Sequence, residues 1–267
     1  MSNRIDCDAG FVGMKNIKKT FNPGSVNEVV LFTDFNLEIP KNQFLAVVGS
    51  NGSGKTTMLN LICGSVAADS GEIRIGGRDI TKLKEHQRSK FIGRVFQDPS
   101  KGTCPELTIL ENMALADNKG QPYGLGRGVN KKRIDYYRSR LELLHLGLED
   151  KIHLPVSSLS GGQRQALALL ICTMTPLDLL ILDEHTAALD PRSSETVMEL
   201  TYRLVREQNL TTLMVTHNLK YAIGYGDRLI MLHRGGIVLD VSGENKSALH
   251  TKDLTDKFNE ISIEDGN

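Results

Sequence analysis

The chain has 267 residues, 40% hydrophobic and 24% charged, which is enough to bury a full α/β core. Lys+Arg and Asp+Glu are both 32, so no strong net field would draw the protein onto nucleic acid. No stretch approaches the ~20 apolar residues of a membrane span, and the N-terminus has no apolar signal segment. We expect neither a membrane crossing nor secretion. Reduced cytosolic thiols are expected for the widely spaced cysteines, Cys7, Cys63, Cys104 and Cys172.

Short β-rich runs fill the first ninety residues. Turn residues separate FVGMKNI, EVVLF, FNLEI, QFLAVV and EIRI. These runs predict an antiparallel layer placed around one strand, QFLAVV, that leads into a glycine-rich loop. A helix over 54–63 is expected directly after that loop.

The middle of the chain, about 98–160, changes to loop and helix and predicts a helical insertion. Its clearest pattern is KKRIDYYRSRLELLHLGL, in which five apolar or aromatic residues recur at helical spacing. These are Ile134, Tyr137, Leu141, Leu144 and Leu148.

Strands and helices alternate again in the second half. LDLLILD, a helix from about 192, TTLMVTH, a short helix and RLIMLHR follow one another. Apolar strands separated by helices predict a parallel sheet covered on both faces. Gly235-Gly236 predicts a tight hairpin at the sheet edge. We therefore expect a single α/β domain whose core is about 11–97 and 161–242, with a tail from 243 to 267 that ends in a closing helix and a frayed end.

The stretch GSNGSGKTT matches G-x-x-x-x-G-K-[ST] between a strand and a helix. Backbone N–H groups of such a loop hold phosphate oxygens, and the helix N-terminus adds its positive end. Lys55 would neutralise the β- and γ-phosphates, Thr56 would offer a hydroxyl to Mg²⁺, and Thr57 would reach the α-phosphate. The remaining loop residues would form the cradle: Gly49, Ser50, Asn51, Gly52, Ser53 and Gly54. The alternative is a Gly/Ser turn with a surface lysine, and the loop alone leaves kinase, GTPase, motor and transport functions open.

Two carboxylates follow a buried strand in LLILDE. Asp183, at the carboxyl end of the strand, is placed to hold Mg²⁺ through water. Side chains alternate along a strand, so Glu184 points differently and would orient or deprotonate the attacking water. The alternative is an acidic loop at a strand end.

LSGGQ at 159–163 precedes an apolar helix. Ser160, Gly161 and Gly162 form a second glycine-rich helix N-terminus suited to a γ-phosphate. One chain that binds one nucleotide needs only one such cradle. If the second serves a nucleotide held by another copy, two protomers pair head to tail around two ATP molecules.

GSNGSGKTT, LSGGQ and LLILDE in this order resemble the ATP-binding cassette family, the ATPase subunits of ABC transporters, over nearly the whole chain. The resemblance implies an ABC-type P-loop NTPase fold, with a mostly parallel core, an antiparallel β subdomain and an inserted helical subdomain. It also implies that Phe21 stacks on adenine, Gln97 contacts Mg²⁺ and water, His217 contacts the γ-phosphate, and Asp190 ties one subunit's site to the other's. An ordinary core phenylalanine is the alternative for Phe21.

The implied reaction is hydrolysis of ATP to ADP and phosphate. Catalysis would depend on Glu184, His217, Gln97 and Lys55. Mg²⁺ would be held by Thr56, Gln97 and Asp183, and Ser160 to Gln163 of the opposite subunit would complete the site. Two departures concern the subfamily: His185 stands where the family usually has proline, a tolerated substitution in the same turn, and LLICTM replaces an arginine-bearing helix.

The resemblance further implies a bacterial importer subunit at the cytoplasmic face of the membrane. Its partners would be a second copy of itself, integral membrane permease subunits and an extracytoplasmic substrate-binding protein. KTFNPGSVNE and DEHTAALD resemble importers of the branched-chain-amino-acid type, whose substrates could include aromatic amino acids. Alternatives are an ATPase for lipoprotein extraction or mechanical signalling, or a soluble non-transport ABC protein, which should show a long coiled coil or a second cassette.

Overall fold

A computed structural model of the chain describes residues 10–121 and 128–264, with side chains described as far as Ile261. The described residues form two compact units. Residues up to Ser89, together with those from Leu210 onward, make the first unit, and Lys90–Asn209 make the second. Cys7 and the last three residues of the expected frayed end lie outside the described residues. The boundaries expected for the core and the helical insertion stay a prediction.

The first unit opens with an antiparallel sheet around the strand that leads into the glycine loop. Its elements up to Ser89 are β1 (Val12–Phe21), β2 (Val29–Ile39), β3 (Phe44–Gly49), α1 (Lys55–Cys63), β4 (Ser70–Ile75), β5 (Arg78–Asp79) and α2 (Glu85–Arg88). EVVLF and FNLEI, taken as separate runs, form the single strand β2. The intervening Thr33 and Asp34 stay extended, because neither residue imposes a turn and the strand continues to pair with β1.

The second unit contains a parallel strand pair and most of the longer helices. Its elements are β6 (Ile92–Val95), α3 (Ile109–Asp117), α4 (Ile134–Glu142), α5 (Gly161–Cys172), β7 (Leu179–Asp183) and α6 (Pro191–Glu207). β6 pairs in parallel with β7. α3, α4, α5 and α6 share a buried apolar cluster that includes Ile109, Tyr137, Leu167 and Leu200.

Helix α4 is shorter than its apolar spacing predicted. It ends at Glu142, although Leu144 and Leu148 are 1% and 0% exposed and join the same cluster. The chain turns at His145 and Gly147, both with positive φ (54° and 65°). Left-handed residues end a helix, so the two leucines reach the core from a turn. The helical spacing of the five residues therefore does not correspond to one continuous helix.

The chain then returns to the first unit. Its elements from Leu210 onward are β8 (Thr212–Val215), α7 (Leu219–Tyr225), β9 (Arg228–His233), β10 (Gly236–Ser242), α8 (Gly243–Ser247) and α9 (Thr251–Glu264). The tail thus holds two helices where one closing helix was expected. The hairpin before β10 is confirmed. Its turn residues are Arg234 and Gly235, both with positive φ (45° and 77°), and Gly236 is the first residue of β10.

The strands of the first unit pair in two separate groups. One is antiparallel, in the order β2-β1-β4-β5, and in the other β3 pairs in parallel with β8 and β9 while β10 is antiparallel to β9. All residues of β3 and β8 are buried, as expected of parallel strands covered on both faces. The predicted fold class, parallel strands with an antiparallel layer and helices, is confirmed. Within the described residues, no helix is long and apolar enough to cross a membrane.

Candidate functional site

The glycine-rich loop lies between β3 and α1 in the first unit. Gly54 is the N-cap of α1, with φ 106° and ψ 0°. A Cβ at this position would lie 2.9 Å from the Phe32 ring of β2. Any side chain would therefore meet both a disfavoured backbone conformation and a packed aromatic ring. The antiparallel layer thus packs against the loop through Phe32, and this contact leaves room only for glycine where the helix begins.

Lys55 points back into the loop. Its side chain donates hydrogen bonds to the Gly49 and Ser50 carbonyl oxygens at 2.7 and 2.8 Å, and the residue is 6% exposed. A third contact fixes the loop from the other side, where the Gly235 amide donates to the Ser53 carbonyl at 3.0 Å. The ammonium is therefore held inside the curve of the backbone.

The N-terminus of α1 keeps its positive character. Its first turn contains no acidic residue, whereas the first turns of α3 and α4 contain Glu111 and Asp135. A helix start without carboxylates attracts anions through its N–H groups and dipole. Thr56, in this first turn, is exposed and Thr57 is partly exposed. The loop and its helix therefore have the form of an oxyanion-binding site.

A cavity of about 450 Å³ opens beside the loop, within the first unit. Gly49, Ser50 and Asn51 line one side, and Thr216 and His217 line another. His217 comes two residues after β8 and is exposed. The loop and the predicted histidine are thus brought to the same cavity.

One wall of this cavity was not predicted. Phe258 of the C-terminal helix α9 also lines it. Leu254 and Ile261 on the same helix are 0% and 8% exposed, and α9 packs against α7, the helix that begins after His217. The i, i+4, i+7 spacing of these residues is an amphipathic signal in the sequence, but it does not say which surface the helix covers.

Phe21 ends β1 and is partly exposed. The Lys19 ammonium lies 5.3 Å from the centroid of its ring. The ring is thus not enclosed in the core of the antiparallel layer. Its role with adenine stays a prediction.

Asp183 ends β7 in the second unit. Arg94 of the neighbouring strand β6 donates to its Oδ2 atom at 2.6 Å, and the side chains are 15% (Arg94) and 19% (Asp183) exposed. The parallel register places Arg94 beside Ile181. These residues lie 89 apart in sequence, so no local pattern could have revealed the pair.

Glu184 has a strained backbone. Its φ is +50°, in the left-handed region, although it is not a glycine. This conformation costs about 1–2 kcal/mol and persists only where the surroundings hold it. The Ala187 amide closes a turn on the Glu184 carbonyl at 2.9 Å. The strain turns the chain sharply at the end of β7, immediately after Asp183.

Gln97 follows β6 and is exposed. The next residue, Asp98, caps a short 3-10 turn by accepting from the Ser100 amide at 2.9 Å. The glutamine therefore lies between the end of a buried strand and the start of an anchored turn.

Ser160 and Gln163 form a reciprocal cap on α5. Ser160 Oγ accepts from the Gln163 amide at 3.3 Å, and the Gln163 side chain accepts from the Ser160 amide at 3.2 Å. Gln163 also donates to the Leu146 carbonyl at 3.3 Å. The first turn holds no acidic residue, and Ser160 is exposed. Gln163 thus holds Ser160 in place and ties the cap to the Leu146 carbonyl, a role that the sequence did not predict.

The start of α6 lies beside this cap, within the second unit. A Cβ on Gly162 would lie 3.0 Å from Ser193, and one on Gly161 would lie 3.3 Å from Leu189. Asp190 is the exposed N-cap of α6 and accepts from the Ser193 amide at 3.0 Å. The hydrogen bonds from Ser193 hold the pKa of Asp190 below its usual value. The two predicted partner-facing segments therefore share one exposed region.

The residues predicted to hold Mg²⁺ have the right donor atoms. Thr56, Gln97 and Asp183 offer a hydroxyl, an amide oxygen and a carboxylate, and Thr56 and Gln97 are exposed. Mg²⁺ prefers oxygen ligands, and beside nucleotides it takes few from the protein and the rest from phosphate and water. The described residues contain no cluster of three or more His, Cys, Asp or Glu residues that could hold a metal. The donor set thus fits a metal bound together with a nucleotide.

Comparisons with known proteins agree with this chemistry. The sequence profile described as ABC transporter matches residues 32–187. The chain is 46% identical over 247 residues to a tyrosine transport ATP-binding protein of Clostridioides difficile (strain R20291), covering 92% of this chain and 97% of that protein.

Two solved structures of ATP-binding cassettes are also similar. The ADP conformation of MJ1267, a cassette of an ABC transporter, has a TM-score of 0.78 at 25% identity, covering 95% of this chain and 98% of that one. The dimeric post-hydrolysis state of the cassette MJ0796, bound to ADP and Pi, has a TM-score of 0.72 at 29% identity and covers 86% and 98%. The chain belongs to the ABC transporter family as an ATP-binding subunit, an ATPase whose hydrolysis of ATP is coupled to transport.

Proposed function

We propose that two copies of this subunit close head to tail around two ATP molecules and drive a permease that imports an aromatic amino acid. The observation that carries the proposal is that two helices of the described chain begin in a glycine-rich segment and have no acidic residue in the first turn. One begins at the lysine-bearing loop and the other at the cap Ser160–Gln163. A chain that binds one ATP in its loop has no use for the second unless another copy's nucleotide meets it.

In the first unit, the loop would bind the phosphates of ATP. Lys55 would offset charge on the β- and γ-phosphates from inside the loop, where two carbonyls already orient its ammonium. Thr57 would reach the α-phosphate, and the partly exposed Phe21 would stack on adenine. His217, which lines the same cavity as Gly49 and Ser50, would brace the γ-phosphate.

In the second unit, Glu184 would orient the water for in-line attack and accept its proton. Gln97 and Asp183 of this unit would hold Mg²⁺, Asp183 through water, and Thr56 of the first unit would be the third protein ligand. The metal when bound would supply charge neutralisation of the β- and γ-phosphates. The ion pair with Arg94 keeps the Asp183 side chain in one orientation.

The second copy would supply the cap. Ser160 to Gln163 and Asp190 are the exposed or partly exposed residues of one region, so a partner's nucleotide can reach the N–H groups of α5. ATP binding would then draw two protomers together, and hydrolysis would release them. The cap of one copy would contact a γ-phosphate only while the other copy holds ATP. The nucleotide state would therefore decide whether the pair is closed or open, and with it the conformation of the attached permease.

The proposed partners follow from family membership and from the relative named for tyrosine transport. They are membrane permease subunits and an extracytoplasmic substrate-binding protein, with this subunit peripheral at the cytoplasmic face of the membrane. Import of an aromatic amino acid is supported by 46% identity along 92% of the chain. Nothing in its charge balance favours nucleic acid instead.

The experiment that tests this function is transport in proteoliposomes. The subunit is purified together with the permease that co-purifies with it. The complex is reconstituted with the ATPase subunit on the outer surface of the vesicles, and the binding protein and labelled tyrosine are enclosed inside. We expect ATP added outside to release tyrosine outward across the bilayer, in competition with phenylalanine and tryptophan. Glu184→Gln is the matched control, because it keeps the side-chain size and ATP binding but should abolish movement of label. Label that stays inside when ATP is added, with ATP-driven uptake of labelled tyrosine placed outside instead, would contradict import. Movement that ignores aromatic competitors would contradict the substrate class.

A further inference from the structure

A buried histidine lies next to Glu184. His185 is 1% exposed, and its Nε2 atom lies 3.1 Å from Thr201 Oγ1 on helix α6. Thr201 is itself 0% exposed and donates its hydroxyl proton to the Val197 carbonyl at 2.7 Å. The sequence had favoured a tolerated substitution in the turn, and the burial and the specific partner indicate more.

The hydrogen bonds show that the Nε2 atom of the ring carries a proton. A hydroxyl has one proton to donate, and Thr201 gives it to Val197, so Oγ1 must accept from His185 Nε2–H. Burial lowers the pKa of His185 to about 4, in agreement with a neutral ring at neutral pH. His185 is therefore a hydrogen-bond donor to α6 through its Nε2 atom.

The bond anchors the turn that holds Glu184 in its left-handed conformation. Glu184 and His185 share a peptide bond, so fixing the His185 ring on α6 restricts the peptide plane that follows Glu184. Two more contacts hold the same turn, from the Ala187 amide to the Glu184 carbonyl and from Ser194 Oγ to the Thr186 carbonyl at 3.1 Å. Proline, which the family usually has after the glutamate, fixes its own φ through its ring and so stiffens the turn directly. Histidine lacks that restriction, and a tether to α6 can replace it.

We propose that His185 is a positioning residue for catalysis, and that its hydrogen bond to Thr201 aims the Glu184 carboxylate at the attacking water. This inference rests on the proposed role of Glu184. The His185–Thr201 pair connects the carboxylate to the middle of α6, about three turns beyond the exposed N-cap at Asp190. Movement of α6 in the assembled transporter would therefore reach Glu184 through this bond.

The test uses variants that remove or keep the hydrogen bond. Thr201→Val removes the hydroxyl at nearly constant volume, and His185→Leu removes the donor. Thr201→Ser and His185→Gln keep a hydroxyl and an NH donor at the same positions. Steady-state ATPase activity is measured on the full-length protein. We expect the first two variants to lower kcat about tenfold (~1.4 kcal/mol) with KM for ATP within about twofold, and the second two to recover most of the loss.

A second background separates positioning from folding. On Glu184→Ala, Thr201→Val should cause no further loss of the residual turnover, because the residue it positions is absent. Unchanged kcat in Thr201→Val, or an equal loss on both backgrounds, would overturn the proposal. If Glu184→Ala itself hydrolyses ATP normally, the proposed catalytic role fails instead, and that result is distinguishable. Melting temperatures of all variants identify any loss that is due to unfolding.

Discussion

Two buried cations lie at opposite ends of α1. Lys55 binds loop carbonyls at the N-terminal end, and Arg88 binds carbonyls at the C-terminal end. Arg88 is 2% exposed and donates to the carbonyls of Leu61 and Ile62 in the last turn of the helix at 2.7 and 2.9 Å. A cation near a helix C-terminus satisfies orphan carbonyls and complements the dipole. The helix that presents the phosphate loop is therefore fixed at its far end by one side chain.

We predict that Arg88→Leu destabilises the first unit strongly. Its guanidinium also donates to the Leu83 and Thr81 carbonyls, at 2.8 and 2.9 Å, so the substitution leaves buried acceptors unsatisfied. We expect a loss of roughly 3 kcal/mol, seen as a fall in melting temperature of about 6 °C or more. Lys82→Leu removes an exposed charge nearby and is the matched control, with a change near zero. An Arg88→Leu protein that melts with the wild type would contradict the anchoring role.

At the scale of elements, the sequence predicted best where local chemistry decides. The glycine loop, the strand ending at Asp183 and the hairpin before β10 each depend on neighbouring residues. The predictions failed where tertiary packing decides. Leu144 and Leu148 keep helical spacing after α4 has ended, because a turn can bury the same leucines. The pairs Arg94–Asp183 and His185–Thr201 bring together residues on different elements, and periodicity carries no information about such partners.

The C-terminal helix α9 offers a prediction at the same scale. Phe258 lines the cavity that contains His217, while Leu254 and Ile261 attach the helix by their buried side chains. Phe258→Ala should leave α9 in place and remove one wall beside the histidine. We expect ATP turnover to fall roughly three- to tenfold, because a small displacement of His217 would weaken its proposed contact with the γ-phosphate. Steady-state ATPase assays measure this effect.

Two controls accompany the Phe258 variant. Phe258→Leu keeps an apolar wall and should retain most of the activity. Asn259→Ala changes the exposed neighbour on the same helix and should have no effect. If Phe258→Ala turns over ATP at the normal rate, α9 is a structural tail with no influence on His217.

At the scale of the whole molecule, each protomer carries one complete loop and one complete cap. Lys55 belongs to the first unit and Ser160 to the second. In a symmetric head-to-tail pair, each of the two sites combines the loop of one copy with the cap of the other copy. No site is then formed by a single chain. This arrangement differs from a self-sufficient monomer in one measurable respect, which is whether two defective proteins can restore each other.

We predict such restoration between Lys55→Ala and Ser160→Arg. Each variant alone should be nearly inactive, the first because it cannot neutralise the phosphates and the second because a bulky cation blocks the cap. A mixed pair contains one site with the intact lysine of one copy and the intact serine of the other, while its second site carries both defects. Random pairing at equal concentrations makes half of the pairs mixed, so activity should recover to roughly a quarter of the wild-type rate if the sites act independently. Mixing Lys55→Ala with the double variant Lys55→Ala/Ser160→Arg is the control and should recover nothing. Absence of recovery from the first mixture at every ratio, with mixed pairs present by native mass spectrometry, would contradict a site shared between copies.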